Sequence, residues 1–365
     1  MPNHPSACCR EEIRDVSFLC YDIAVTDRYS RQTLFRNIGA EGQEKLGRSR
    51  VLLVGCGALG SVVAEILVRG GVGQITIADR DYVEESNLQR QALFTEADAR
   101  EGLPKAVAAS RHLTQINSSV SVAAQVLDVN SRTVESLVDA QDLIVDGTDN
   151  FETRYLLNDA SLKWNLPWVY GACVGSYGLC LAMIPGQTPC LRCLLGQLPA
   201  PGSAPTCDTV GVIGPIVHLV AAMESAEALK ILTGHAAQVN RKLTGVDLWE
   251  NQVMTMDLSG VERMSGCPAC VERRFEFLNG EREAQTQTLC GRDSVQISRS
   301  TPKPLDFGPI AKRLAAVGSV KCNDYLLRAN VEGFEIAVFR DGRSIVRGTR
   351  DADEARRVYA KFIGN

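Results

Sequence analysis

No uninterrupted apolar stretch of the 365 residues is long enough to cross a bilayer, which takes about 20 residues. The first residues, Met1 to Cys20, carry charges where a secretory signal needs an apolar core, so a cytoplasmic location is expected. Positive charge is not in excess. Lys and Arg number 39 against 43 Asp and Glu, a formal net charge of −4, which offers no basic surface for nucleic acid. Histidine is scarce, and His4, His112, His218 and His235 form no pattern; His218, in an apolar run, reads as a core residue. Internal repeats and low-complexity tracts are absent. An apolar fraction of 45% with 22% charged residues fits a globular protein. The chain is long enough for one large domain and a small one. Cysteine, by contrast, is abundant: there are 13. An odd number in a cytoplasmic chain points to metal ligands and reactive thiols before disulfides.

The pattern from residue 28 to about 278 predicts alternating strands and helices, preceded by a flexible tail over 1–27. Strands are expected at 50–56, 74–79, 120–126 and 143–146, with helices near 59–69, 104–116 and 131–139 and from Phe151. Two further strands, near 168–170 and 179–184, are followed by a long apolar helix over 214–232 and a strand pair over 242–258. Such alternation argues for a parallel sheet covered on both faces. Met183, Met223, Met254 and Met256 read as core. Residues 279–365 change texture. They predict a strand near 295–297, a helix near 305–316, three strands within 319–348 and a last helix over 352–362. Asp341-Gly342 marks a hairpin. We read this part as a small α+β domain, an interaction module whose arginines form either a solvated face or a docking surface for an acidic partner.

One local feature carries chemistry. Val51-Leu52-Leu53-Val54 reads as a buried strand, and Gly55-Cys56-Gly57-Ala58-Leu59-Gly60 follows at once. In such a loop Gly55 permits the tight turn, Gly57 lets backbone approach phosphate and Gly60 lets helix and strand pack closely. Asp79 stands about 20 residues on, where a carboxylate takes ribose hydroxyls. The same strand–turn–helix also occurs without a nucleotide. The polar residues downstream narrow the choice, because Asn87, Arg90, Lys105 and Asp149 supply an amide, two cations and an acid. That set suits a triphosphate with Mg²⁺ better than a nicotinamide. Arg90 and Lys105 can neutralise charge as pyrophosphate leaves, and Asp149 sits at a strand end facing the ligand crevice of an open sheet.

Two C-x₂-C pairs, Cys190/Cys193 and Cys267/Cys270, suit tetrahedral Zn²⁺ in a structural site; a redox dithiol is the rival reading. Cys207 lies in a proline- and glycine-rich segment, Ala204-Pro205-Thr206-Cys207, that can carry a thiolate to an acyl group. An incidental thiol is equally compatible. Cys56, Cys173 and Cys180 read as small core residues.

Taken together, Arg28-Tyr29-Ser30-Arg31-Gln32, the glycine loop, Ser86-Asn87-Leu88-Gln89-Arg90-Gln91, Pro104-Lys105 and Thr148-Asp149-Asn150 resemble the ThiF/MoeB/HesA family, bacterial relatives of ubiquitin-activating E1 enzymes. Ala58 departs from the glycine common at its position. The resemblance implies an α/β fold with a Rossmann-like, mostly parallel sheet and helices on both faces, a Cys₄ zinc site and the small C-terminal domain beside it. It implies ATP-dependent adenylation of the C-terminal glycine of a ubiquitin-like or sulfur-carrier protein ending in Gly-Gly. In that reading Asp79 binds ribose, Asn87, Arg90 and Lys105 serve the phosphates, and Asp149 is the Mg²⁺-associated aspartate. Arg31 matches an arginine that reaches across a homodimer to the other subunit's ATP. Cys207 matches a cysteine that in some members forms a covalent link with the carrier. Adenylation of another substrate, such as a tRNA nucleoside or a peptide, and a non-catalytic partner subunit remain alternatives.

Overall fold

The computed structural model describes residues 27–196, 206–258, 266–282, 286–289, 293–297 and 304–364. The tail expected over 1–27 therefore lies, apart from Asp27, outside the described residues. Among the described residues a 3-10 turn at Asp27–Tyr29 comes first, followed by two short helices, α1 (Ser30–Thr33) and α2 (Gly39–Leu46). The alternation then runs β1 (Arg50–Val54), α3 (Ala58–Gly70), β2 (Gln74–Asp79), α4 (Glu96–Glu101), α5 (Lys105–Ile116), β3 (Ser121–Val126), α6 (Val134–Val138), β4 (Leu143–Asp146), α7 (Phe151–Trp164) and β5 (Trp168–Val174). It continues through β6 (Tyr177–Met183), α8 (Leu191–Leu195), α9 (Cys207–Val210), α10 (Gly214–Leu232), β7 (Lys242–Asp247) and β8 (Gln252–Asp257).

The eight strands form one sheet in the order β3-β2-β1-β4-β5-β6-β7-β8. The first five are parallel and the last three antiparallel. Alternate residues of β1 face opposite layers, as a pleated strand requires. Val51 and Leu53 enter the core beneath α3, α5 and α10, while Leu52 and Val54 enter the core beneath α6 and α7. The near-continuous apolar run of β1 follows from burial on both faces. The strand order reverses beside β1, which places a crevice at the C-terminal ends of β1, β2 and β4.

The second sheet has six antiparallel strands in the order β11-β12-β13-β14-β10-β9. These are β9 (Thr286–Leu289), β10 (Ser294–Ile297), β11 (Ser319–Cys322), β12 (Leu326–Val331), β13 (Phe334–Phe339) and β14 (Ser344–Arg347). Helices α11 (Phe307–Ala315) and α12 (Ala352–Phe362) cover one face of this sheet. The other face, through Leu326, Ala337, Phe339 and Ile345, packs on Tyr82 of the large domain.

Three expectations change. Four strands, not three, occupy 319–348 among the described residues, because the Val331–Phe334 connection is a tight turn with Gly333 at φ +85°. Met254 and Met256 are exposed on β8, the edge strand of its sheet, which no further strand pairs among the described residues. His218 is also exposed, on the outer side of α10, its Nδ1 within hydrogen-bond distance of the Gly214 carbonyl.

Candidate nucleotide and metal sites

The turn after β1 is glycine-dependent for a physical reason. Gly55 has φ +84°, and a Cβ there meets the Gly147 carbonyl at 2.6 Å; a Cβ on Gly60 meets the Gly55 carbonyl at 2.0 Å. Both glycines let β1, the loop and the start of α3 close upon the end of β4. Gly57 is different. Its φ is −82°, and the nearest atom to a Cβ there is Gln91 Nε2 at 3.9 Å. Among the described residues nothing fills that space, so it is open to a ligand approaching the N-terminus of α3.

Asp79 ends β2 with its carboxyl beneath the loop. It accepts the Cys56 and Asp81 amides, each at 2.6 Å. Burial pushes this carboxyl above the usual carboxylate range, against the pull of Lys105 and the two amides. Lys105 begins α5 and is itself buried, with Nζ 3.0 Å from Asp81 Oδ2. Pro104, just ahead of it, is bridged to Tyr82, which ties the start of α5 to the end of β2. The loop that follows β2 carries the other two polar residues. Asn87 is buried, and its Oδ1 accepts the Glu84 amide at 3.2 Å. Its Nδ2 is buried without a hydrogen-bond partner among the described residues. Such an atom costs about 1–3 kcal/mol if left unpaired, so a ligand acceptor fits there. Arg90, half-buried, donates from Nη1 to the Ser86 carbonyl at 3.0 Å.

Asp149 is exposed in the turn after β4. The backbone holding it is fixed by a buried pair that the sequence reading did not single out. Asp146 accepts the Thr148 amide at 2.8 Å and its hydroxyl at 2.6 Å through Oδ1. Arg154 approaches Asp146 Oδ2 at 3.3 Å and donates to the Thr148 and Gly171 carbonyls. It also lies over the rings of Phe151 and Tyr170. Asn150 caps α7 by accepting the Thr153 amide at 2.8 Å. The signal available in sequence was a polar stripe, Arg154, Asn158 and Ser161, at helical spacing; all three are buried.

Cys207 lines a cleft of about 440 Å³ together with Arg90, Ser86, Gln89, Glu84 and Arg347. Its Sγ donates to the Cys173 carbonyl at 3.0 Å. The structure thus brings Cys207 and Arg90 to one opening. Arg31 stays apart from them. It is exposed on α1, whose neighbours Arg28 and Gln32 donate to the carbonyls of Ile116 and Gly70. Gly70 ends α3, the helix that begins at the glycine loop, and 13 residues at about 1.5 Å each separate the two ends.

The four remaining sequence candidates converge. Cys190 Sγ is 3.8 Å from both Cys193 Sγ and Cys267 Sγ, and Cys193 Sγ is 3.5 Å from Cys270 Sγ. All four sulfurs lie within 4.8 Å of one another. A tetrahedral ion with bonds of about 2.3 Å places its sulfurs about 3.8 Å apart. The cluster can therefore hold a metal ion.

The sequence profile of the ThiF family matches residues 29–269. The chain belongs to the ThiF family. It is 46% identical over 341 residues to the sulfur carrier protein ThiS adenylyltransferase of Bacillus subtilis, covering 93% of this chain and 100% of that relative. The SAMP-activating enzyme E1 of Haloferax volcanii is 37% identical over 254 residues, covering 70% of this chain and 92% of the relative. Among solved structures, Escherichia coli MccB with ATP superimposes with a TM-score of 0.57 at 27% identity, covering 67% of this ThiF-family chain and 74% of MccB.

Proposed function

We propose that this ThiF-family chain is an ATP-dependent adenylyltransferase acting on the C-terminal glycine of a ubiquitin-like sulfur-carrier protein. The observation that carries the proposal is the crevice at the ends of β1, β2 and β4. The segments that follow these strands carry the open space over Gly57, the Asn87 Nδ2 unpaired among the described residues, the cations Arg90 and Lys105 and the carboxylates of Asp79 and Asp149. The likeness to a ThiS adenylyltransferase over 93% of this chain and the likeness to a MccB structure with ATP support the same reading.

In this mechanism the α3 N-terminus and Asn87 receive the phosphates, and Asp79 takes the ribose hydroxyls. A carrier carboxylate oxygen attacks the α-phosphorus; its bond forms as the bond to the bridging oxygen of pyrophosphate breaks. Because a carboxylate is already ionised, no general base is needed. Arg90 and Lys105 offset the charge that builds on the leaving pyrophosphate. Asp149, oriented by the Asp146–Arg154 pair, would hold Mg²⁺, which supplies further charge neutralisation at the phosphates. Cys207, at the same opening as Arg90, is the proposed acceptor: its thiolate attacks the acyl carbon and AMP departs, leaving a thioester. Its proton, now directed at the Cys173 carbonyl, must first be lost.

The Cys₄ cluster would hold Zn²⁺ with no coordination position left open, which makes its role structural. Arg31 lies at the far end of α3 from the glycine loop of its own chain, which favours its use across a homodimer. The exposed Leu34 and Phe35 beside it offer an apolar contact for that dimer. Trp249, Val253, Met254 and Met256, exposed on and beside the edge strand β8, give the carrier an apolar docking surface. Among the described residues no helix is long and apolar enough to cross a membrane; a cytoplasmic location, where ATP is abundant, completes the proposal.

Carrier-dependent exchange of labelled pyrophosphate into ATP tests the reading directly. Asp149→Ala and Arg90→Ala are each expected to lower exchange at least tenfold. Wild-type exchange in both variants would overturn the site assignment.

A further inference from the structure

The C-terminal domain touches three of the segments that carry the nucleotide residues, those of Asp79, of Asn87 with Arg90, and of Lys105. Arg343, buried, donates from Nη1 to the carbonyl of Arg80 at 2.6 Å, the residue directly after Asp79. Asn323 donates from Nδ2 to the Glu101 carbonyl at 2.9 Å, four residues before Lys105. Arg347, at the end of β14, grips Glu84 with both arms of its guanidinium, Nη1 to Oε1 at 2.5 Å and Nη2 to Oε2 at 2.8 Å. Arg347 and Arg328 also lie over the Tyr82 ring, each 5.3 Å from its centre, and the Tyr82 hydroxyl donates to Glu335 at 3.2 Å.

The Arg347–Glu84 contact differs from an ordinary surface pair. It is bidentate, and its side chains are only 20% and 18% exposed, so it is less screened than an exposed pair and geometrically stricter. Glu84 stands at the start of the turn that aims Asn87. Its amide holds Asn87 Oδ1, which turns the free Nδ2 the other way, and the Arg90 amide in turn donates to the Asn87 carbonyl at 3.1 Å. Arg347 also lines the cleft shared by Arg90 and Cys207.

We infer that the C-terminal domain positions the nucleotide loop, and that Arg347 is the positioning residue: by clamping Glu84 it sets the orientation of Asn87 and Arg90 toward the phosphates. The inference rests on the nucleotide reading above and extends it to a domain that carries none of the nucleotide residues. It also gives several of the domain's arginines partners within the chain, since Arg328, Arg343 and Arg347 all contact the large domain.

The test is ATP binding to the whole chain without carrier, followed by calorimetry. Arg347→Ala is expected to weaken ATP binding by about tenfold, the loss of one charged, well-aligned hydrogen-bonded pair. Glu84→Arg combined with Arg347→Glu is expected to bind ATP more tightly than Arg347→Glu alone, because the swap restores the clamp. Lys361→Ala, which breaks the exposed pair with Glu332 in the same domain, is expected to bind ATP as the wild type does. If Arg347→Ala does not fold, Arg347→Gln is read by the same criterion. Failure of the wild type to bind ATP overturns the nucleotide reading itself. Wild-type affinity in Arg347→Ala, or equal weakening in Lys361→Ala, overturns the positioning role while leaving that reading intact.

Discussion

Arg154 and Asp146 form a buried ion pair under the turn that presents Asp149, with Arg154 Nε 3.3 Å from Asp146 Oδ2 and the two side chains 7% and 0% exposed. The pair does more than cancel charge. Asp146 holds Thr148 from below while Arg154 holds the Thr148 carbonyl, so the turn is clamped on both its amide and carbonyl sides. Removing the arginine strands a carboxylate that burial already pushes above the usual range. Arg154→Ala is therefore expected to lower the unfolding free energy by about 3–5 kcal/mol. Urea titration of the purified variant measures this, and an unchanged midpoint would show that water reaches the pair.

The glycine loop separates two roles that one motif usually merges. Gly60→Ala forces a methyl into the Gly55 carbonyl and is expected to cost folding itself. Gly57→Ala has room for its methyl in the protein and is expected to melt within a few degrees of the wild type while losing ATP affinity. Thermal melts and ATP titrations of the two variants side by side check the distinction; a Gly57→Ala protein that binds ATP normally would place the phosphates elsewhere.

Asp159 gives a pH signature. It is 1% exposed and accepts the Phe277 and Leu278 amides at 3.0 and 3.4 Å. Burial raises its pKa to about 6 despite the opposing pull of these amides and of Arg192. An unfolded aspartate titrates near 3.9. Because the folded value is the higher one, the contribution is fully present below about pH 4 and is lost as pH rises through about 6. The stability of the wild type relative to Asp159→Asn should thus fall by about 2–3 kcal/mol between pH 4 and 7. A difference that stays constant over that range rejects the assignment.

The sulfur cluster predicts about one metal ion per chain. Cys190→Ser and Cys270→Ser should each lose most of that metal, and a strong chelator should lower the melting temperature of the wild type but hardly that of the variants. Elemental analysis showing a metal other than zinc would keep the cluster and correct the ion.

Mixing Arg31→Ala with Asp149→Ala protein tests the proposed exchange of arginines between subunits. Each variant alone should be inactive, and mixed heterodimers should regain one working site. Absence of any recovery, with mixed dimers present, would confine Arg31 to a role within its own chain.

The segments of the large domain that carry a strong period or a turn signal were legible in the sequence. Strand 74–79, strand 143–146 and helix 214–232 fall where the pattern of apolar residues places them, because burial in the two cores demands apolar residues along each. The two C-x₂-C pairs were legible for a different reason: metal chemistry fixes local spacing whatever the fold. What sequence could not show depends on partners distant along the chain. Met254 and Met256 look like core until their strand proves to be the sheet's edge. Arg154 looks like a solvent charge until α7 turns it beneath β4. Arg347 and Glu84 lie 263 residues apart, and no local pattern marks either as the other's partner.

The four cysteines have a consequence for motion. With a metal ion bound they would close the intervening chain into a ring, to which α9 with Cys207, α10, β7 and β8 all belong. A thiol on a tethered ring searches a small volume, so its effective concentration at the cleft depends on where the ring is fastened. A metal ion held at that corner would thereby be the anchor that limits how far Cys207 can stray.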